Sequence, residues 1–290
     1  MGRWLRDKLD LLLGEWNIGF ACQNVADVIA GEQLNVEWLI HDYTDRWFAD
    51  PFLLSEDKDN WYLLAEEMVE GTDKGVIVEL TVEKEHVELI GRRVVLEEDC
   101  HLSFPYIYNK GGRTFVMPEK GRSGSWSLYA YDAESHSCTK SATQEGLSVA
   151  DAILADCNTM LATKADNPNG NELSVFNINS ESWQQTCNIV FKENIARNAG
   201  RIINVGNDTY RPAQVCNRSY GEAVSLQRMT CKDGKTALEE VVRLSPTDKV
   251  YSHGLHTFNV YNNGNLIIVD GMRYNIRKVP RRLSGKLQRC

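Results

Sequence analysis

A strand motif that returns about every fifty residues constrains this chain more than any other feature. In each copy a small or polar residue opens a short apolar run. A polar turn follows, and then a second apolar run that carries an aromatic residue, a methionine or an isoleucine pair. The copies open at Ala49-Asp50-Pro51-Phe52, Ser103-Phe104-Pro105, Ala150-Asp151-Ala152, Ala199-Gly200-Arg201 and His256-Thr257-Phe258. Taking Asp50, Phe104, Asp151, Gly200 and His256 as equivalent points, the spacings are 54, 47, 49 and 56 residues. That is the length of a four-stranded propeller blade with its loops. A lone blade cannot bury both faces, whereas blades packed radially share one core. The expected fold is therefore all-β: a five-bladed β-propeller forming a single domain over residues 1–290. Its blade-opening runs lie near 49–67, 101–119, 150–164, 199–214 and 256–270. A pair of β-sandwiches is the competing arrangement, and the constant order of small residue, run, turn and run argues against it.

Before the first copy, Trp4, Leu5, Leu9, Leu11, Leu12 and Leu13 alternate with charged residues and suggest a short helical or irregular segment packed on the domain. The segment lacks the apolar core of a signal peptide, and no stretch of the chain is long and apolar enough for a membrane span. Eight cysteines are scattered without a Cys-x-x-Cys pair, which excludes a zinc ribbon and points to reduced thiols in a cytoplasmic protein. The net charge of −8 excludes a generic nucleic-acid surface, which carries a basic excess. A local basic excess at the end of the chain (Arg273, Arg277, Lys278, Arg281, Arg282, Lys286, Arg289) reads as a solvated tail.

In a propeller the innermost strands line a central channel, so equivalent positions far apart in sequence converge. The first runs open with Asp50, His101 and Ser103, Asp151, Arg197 and Gly200, and His253 and His256. The second runs end in Glu66 and Glu67, Glu119, Lys164, Arg211 and Gln214, and Asp270. Paired carboxylates in one pocket are what glycosidic-bond chemistry uses, one ionised and one kept protonated. The candidate catalytic residues are Asp50, Glu119, Asp151 and Glu67. Glu66 and Glu67 alternate faces, so one of the two at most points inward. The candidate substrate-binding residues are His101, Arg211, Gln214, His256 and Asp270. Trp47, Phe48, Phe104 and Tyr106 suit either a sugar face or the blade core. His253-Gly-Leu-His256 lacks an accompanying carboxylate ligand, and no metal or cofactor is expected.

Ala49-Asp50-Pro51-Phe52 and Asp151 resemble the openings of the first and third blades in glycoside hydrolase family 43. That resemblance implies a base or nucleophile role for Asp50 and a tuning role for Asp151. Five motifs taken in order are more specific: Trp47-Phe48-Ala49-Asp50-Pro51-Phe52, His101-Leu102-Ser103-Phe104-Pro105, Met117-Pro118-Glu119, Tyr210-Arg211-Pro212-Ala213-Gln214 and His256-Thr257-Phe258. Together, over residues 15–280, the chain resembles the N-terminal domain of plant glucosamine inositolphosphorylceramide transferase and its stand-alone bacterial relatives. The hydrolase pattern also implies a glutamate opening a later blade, where this chain has Ala199-Gly200. The expectation is a carbohydrate-active enzyme, with glycosyl transfer in glycan, glycolipid or polysaccharide biosynthesis first. A hydrolase of the arabinanase or fructosidase sort and a non-catalytic sugar-binding propeller are the alternatives. The implied partners are a sugar, glycan or sugar-nucleotide substrate and a separate glycosyltransferase.

Overall fold

The computed structural model describes residues 9–10, 12–178, 183–232 and 235–275. Among these residues twenty strands form five four-stranded antiparallel sheets. The first blade holds β3 (Arg46–Glu56), β4 (Asn60–Val69), β5 (Gly75–Glu83) and β6 (Glu88–Leu96), in chain order from the channel outward. The second holds β7 (Ser103–Lys110), β8 (Arg113–Glu119), β9 (Ser125–Asp132) and β10 (Ser137–Glu145). The third holds β11 (Val149–Leu154), β12 (Thr159–Lys164), β13 (Glu172–Ile178) and β14 (Trp183–Val190). The fourth holds β15 (Ile203–Val205), β16 (Asp208–Val215), β17 (Ala223–Lys232) and β18 (Lys235–Leu244).

The fifth blade is built from both ends of the chain. Its order is β19 (Phe258–Tyr261), β20 (Leu266–Tyr274), β1 (Gly14–Ala21) and β2 (Glu37–Trp38). The β1–β20 ladder runs from Gly14 opposite Tyr274 to Ala21 opposite Ile267 and closes the ring. A short helix, α1 (Val25–Ile29), follows β1. Asn24 caps it by accepting from the Ala26 amide, and Val25 and Val28 are buried. The five copies read from the sequence are thus the two innermost strands of the five blades. The expected helix before β1 falls mostly on residues 1–8 and 11, which lie outside the described residues; so do the six basic residues of the tail beyond Arg273.

Between the blades the apolar faces merge into extended clusters. One joins Phe52, Leu64 and Ile77 of the first blade to Phe104, Met117 and Tyr129 of the second and Ile153, Met160 and Leu173 of the third. Phe48, Phe104 and Tyr106 belong to this packing and to its neighbour, so they serve as blade core. Trp47 packs in a smaller group with Trp16, Ala49 and Met272. Among the described residues no helix is long and apolar enough to cross a membrane.

One backbone device recurs on the inner strands and positions the site. The β3–β4 ladder skips from Ala49 to Phe52, the β7–β8 ladder from Ser103 to Tyr106, and the β11–β12 ladder from Ala150 to Ile153. Each gap is a bulge whose first residue has positive φ: 51° at Asp50, 44° at Phe104 and 44° at Asp151. Such a residue costs about 1–2 kcal/mol without a glycine, aspartate being among the more tolerant types. At the equivalent point of the fourth blade the chain uses Gly200, with φ of 155°. A Cβ there would lie 2.3 Å from the Phe258 carbonyl oxygen, so no side chain fits. A bulge re-aims a side chain and frees its amide from the ladder. Here the freed amides point to carboxylates of the preceding blade. Asp50 N–H donates to Asp270 Oδ2 at 3.0 Å, Phe104 N–H to Asp50 Oδ2 at 3.1 Å, and Asp151 N–H to Glu119 Oε2 at 3.3 Å.

Candidate active site

The bulges and the ends of the second strands gather five carboxylates at the channel: Asp50, Glu66, Glu119, Asp151 and Asp270. All but Glu119 are at most 5 % exposed. They form two hydrogen-bonded groups, with Glu66 beside them.

The first group centres on Asp50 and the fifth blade. Asp50 Oδ1 accepts from the Thr257 hydroxyl at 2.8 Å. His256 Nδ1 lies 2.6 Å from Asp270 Oδ2, and its Nε2 lies 3.9 Å from Asp50 Oδ1. Asp270 Oδ1 accepts from the His256 and Thr257 amides at 3.1 and 2.9 Å. The imidazole stacks on Trp16 with centroids 3.8 Å apart. Burial pushes Asp50 up to about 6, against the pull of His256, with Asp151 and Asp270 adding to the rise. Asp270 is held below the usual carboxylate range: burial opposes this, but His256 and the amide donors outweigh it. His256 is raised, the two aspartates outweighing the burial that would lower it. Ligand-type atoms of Asp50, His256 and Asp270 lie within 4.8 Å of one another, the geometry of a metal-binding set. The two carboxylates and His256 Nδ1 already hold the bonds just described, and the group reads as a proton-exchanging network.

The second group centres on Asp151. Arg197 donates from Nε to Asp151 Oδ2 at 2.6 Å and from Nη2 to Glu119 Oε2 at 2.8 Å. Its Nη1 bonds Asn169 Oδ1 at 3.0 Å. Gln214 Nε2 adds a bond to Asp151 Oδ2 at 2.7 Å. Burial pushes Asp151 up to about 7, with Arg197 pulling back and Glu119 adding to the rise. Arg197 stays charged, because its carboxylate partners outweigh its burial. Tyr220, on the loop after β16, lays its ring 5.0 Å from the Arg197 guanidinium carbon and meets His256 and Trp16 edge-on.

The remaining sequence candidates divide. Glu67 is buried on the opposite face of β4, in ion pairs with Arg46 at 2.9 Å and with Arg92. Glu66, opposite Ala49 across the ladder, is the member of the pair that joins the channel. Burial raises it well above the usual range, and the charges of Asp50, Glu119, Asp270 and Asp151 raise it further. His101 Nε2 lies 3.5 Å from Glu66 Oε1. Arg211 is wholly enclosed: its guanidinium bonds Asn198 Oδ1 at 2.7 Å, Gln227 Oε1 at 2.6 Å and the Ala196 carbonyl. Burial lowers it to about 9. Its reach ends at Asn198, which in turn donates to the Asp151 carbonyl at 2.6 Å. Arg211 therefore positions the Asp151 strand and has no surface to offer a ligand. His253 stacks on Tyr274, away from His256.

The site residues absent from the sequence candidates are Glu66, Arg197, Thr257, Trp16 and Tyr220. A signal for Glu66 was present. Aligned by their preceding residue, the second runs read Ala65-Glu66, Pro118-Glu119, Ala162-Thr163, Ala213-Gln214 and Val269-Asp270, and this alignment selects Glu66 over Glu67. Trp16 lies on the strand that closes the ring, and Tyr220 lies in a loop. Neither belongs to a repeat position.

A closed five-bladed propeller with buried, paired carboxylates at its channel defines the class. Comparison with known proteins then narrows it. A family model described as glucosamine inositolphosphorylceramide transferase 1, N-terminal, matches residues 35–140, which include the first blade and most of the second. Glucosamine inositolphosphorylceramide transferase 1 of Oryza sativa subsp. japonica is 25 % identical over 201 residues, or 64 % of this chain. The chain spans about a quarter of that relative, 27 % of its length. Solved structures share the fold. An exo-β-1,3-galactanase from Phanerochaete chrysosporium with β-1,3-galactotriose superposes with a TM-score of 0.52 at 9 % identity, covering 71 % of this chain and 53 % of that one. The GH43_1 enzyme from Xanthomonas citri complexed with xylose gives 0.51 at 10 %, covering 79 % and 88 %. The chain thus resembles the N-terminal domain of the plant transferase and has the architecture of family 43 propellers.

Proposed function

We propose that the protein is a carbohydrate-active enzyme that transfers a glycosyl unit to an acceptor hydroxyl, with Asp50 taking the acceptor's proton. The observation that carries this reading is the state of Asp50. It is 3 % exposed, held at φ of 51° and aimed by the Thr257 hydroxyl and the Phe104 amide. Burial brings it to about 6, so it is ionised at neutral pH yet more basic than a free aspartate, the condition for an effective general base. The second group supplies a fixed wall. Arg197 neutralises Asp151 and Glu119, and the Tyr220 ring covers its guanidinium. The relative named as a transferase supports transfer over hydrolysis. So does the opening of the fourth blade, Ala199-Gly200, which carries no acid where the hydrolase resemblance implies one.

The test is a binding and turnover screen of wild type and Asp50→Asn against sugar nucleotides, glycosides and short glycans. Asp50→Asn should keep its fold and its sugar binding and lose on the order of 10²–10⁴-fold in turnover. Full activity in Asp50→Asn would sink the assignment.

A further inference from the structure

Glu66 differs from the other channel carboxylates in what surrounds it. Asp50 and Asp270 accept from amides, a hydroxyl and an imidazole, and Asp151 and Glu119 accept from Arg197. Glu66 is 5 % exposed and faces the carboxylates of Asp50, Glu119, Asp270 and Asp151. Among the described residues the nitrogen beside it is His101 Nε2, 3.5 Å from Oε1. His101 Nδ1 accepts from the Gly75 amide at 2.9 Å. A ring nitrogen that accepts carries no proton, so the neutral ring has its hydrogen on Nε2, toward Glu66. Burial, with Arg197 adding to it, lowers His101 against the opposing pull of Asp50 and keeps the ring neutral. Gly75 makes room for the pair, since a Cβ there would lie 2.8 Å from Glu66 Oε1 and 3.1 Å from His101 Cε1. A buried carboxyl among carboxylates, with no cation beside it, keeps its proton.

We infer that Glu66 donates a proton to the leaving oxygen during glycosyl transfer and that the donor substrate is an O-glycoside. The inference rests on the glycosyl-transfer reading above. The acceptor oxygen forms a bond to the anomeric carbon as its proton passes to Asp50. The bond from that carbon to the leaving oxygen breaks, its electron pair stays on that oxygen, and the Glu66 proton joins it there. Glu66 then regains a proton from solvent and Asp50 releases its own, while the His101 N–H, 3.5 Å from Glu66 Oε1, orients the emptied carboxylate. An alkoxide leaves poorly without such a donor. A nucleoside diphosphate leaves as a stable anion and needs none, and the surrounding carboxylates oppose its charge.

The test uses the full chain with three donor sets: 4-nitrophenyl glycosides, methyl glycosides of the same sugars, and uridine and guanosine diphosphate sugars. Glu66→Gln should lose on the order of 10²–10⁴-fold in kcat/KM on methyl glycosides and less than about 10-fold on 4-nitrophenyl glycosides, whose phenolate leaves unaided. Both rates come from one preparation, so partial misfolding cannot imitate the difference. Asp50→Asn should lose on both sets. An equal loss on both glycoside sets in Glu66→Gln overturns the inference. Turnover of nucleotide sugars alone, unimpaired in Glu66→Gln, also overturns it and leaves glycosyl transfer standing. If wild type turns over none of the three sets, both readings fall.

Discussion

The two carboxylate groups of the channel use the same backbone device to different chemical ends. Asp50 and Asp151 occupy equivalent bulges, with φ of 51° and 44° and exposures of 3 % and 1 %. Burial is the largest influence on each and raises both. They differ in the cation that a neighbouring blade supplies. Beside Asp50 it is the His256 imidazole, a group that can release its proton, which Asp270 and Asp50 hold in place against burial. Beside Asp151 it is the Arg197 guanidinium, which keeps its charge at any working pH. The first group can exchange protons, and the second holds its shape. A repeat fold can thus reuse one strained turn and assign its role through a single side chain from a neighbouring blade.

Three substitutions would break or sharpen this contrast. The largest effect is expected from Arg197→Met, which leaves Asp151 and Glu119 without their cation. Stability should fall by about 3–5 kcal/mol at pH 7.5. Asp151, which burial already raises to about 7 against the pull of Arg197, would then titrate higher still in the folded chain. The deficit should therefore be small at acid pH and grow as pH rises. Urea melts at pH 4.5 and 7.5 measure this, and equal deficits at both would remove the fixed-wall account of Arg197. His256→Gln should cost about 1.5–3 kcal/mol, as for a lost hydrogen bond to a charged group. Here the trend reverses. The folded value of His256 is raised, so the stability from its charge is complete below the unfolded value of about 6.5 and fades as pH rises through the folded value. Urea melts carried from pH 6 to pH 10 should show the deficit shrinking as pH rises; a deficit that grows would mean His256 is buried neutral. The smallest effect belongs to Tyr220→Phe. Its ring meets both cations, so retaining the ring should hold the change within about 0.5 kcal/mol in thermal melts. A larger loss would mean that the hydroxyl couples the two groups.

Much of this architecture was legible in the chain. The five equivalent points reappear at the innermost strands, and four of them, Asp50, Phe104, Asp151 and Gly200, have positive φ. Small, polar or proline-flanked residues opening apolar runs already pointed to bent inner strands. The turn at Asn262-Asn263-Gly264 likewise carries φ of 53°, 54° and 93°, which asparagine and glycine tolerate. Other features were hidden. Arg211 and Arg197 look alike as arginines near strand ends, yet one is sealed behind Asn198 and the other bridges two carboxylates. Glu67 and Glu66 are neighbours, and the first is spent on Arg46 and Arg92.

The sequence by itself determined the number of blades, the place of their inner hairpins and the residues that bend them. These depend on alternation and turn chemistry, which act over a few residues. Only the tertiary structure decided which carboxylate meets which cation, that Trp16 from the closing strand covers His256, and that Glu66 is left among acids with a neutral histidine. Those pairings depend on how the blades pack around the channel. Low dielectric inside that channel turns a choice of neighbour into a choice of protonation state, and so into chemistry.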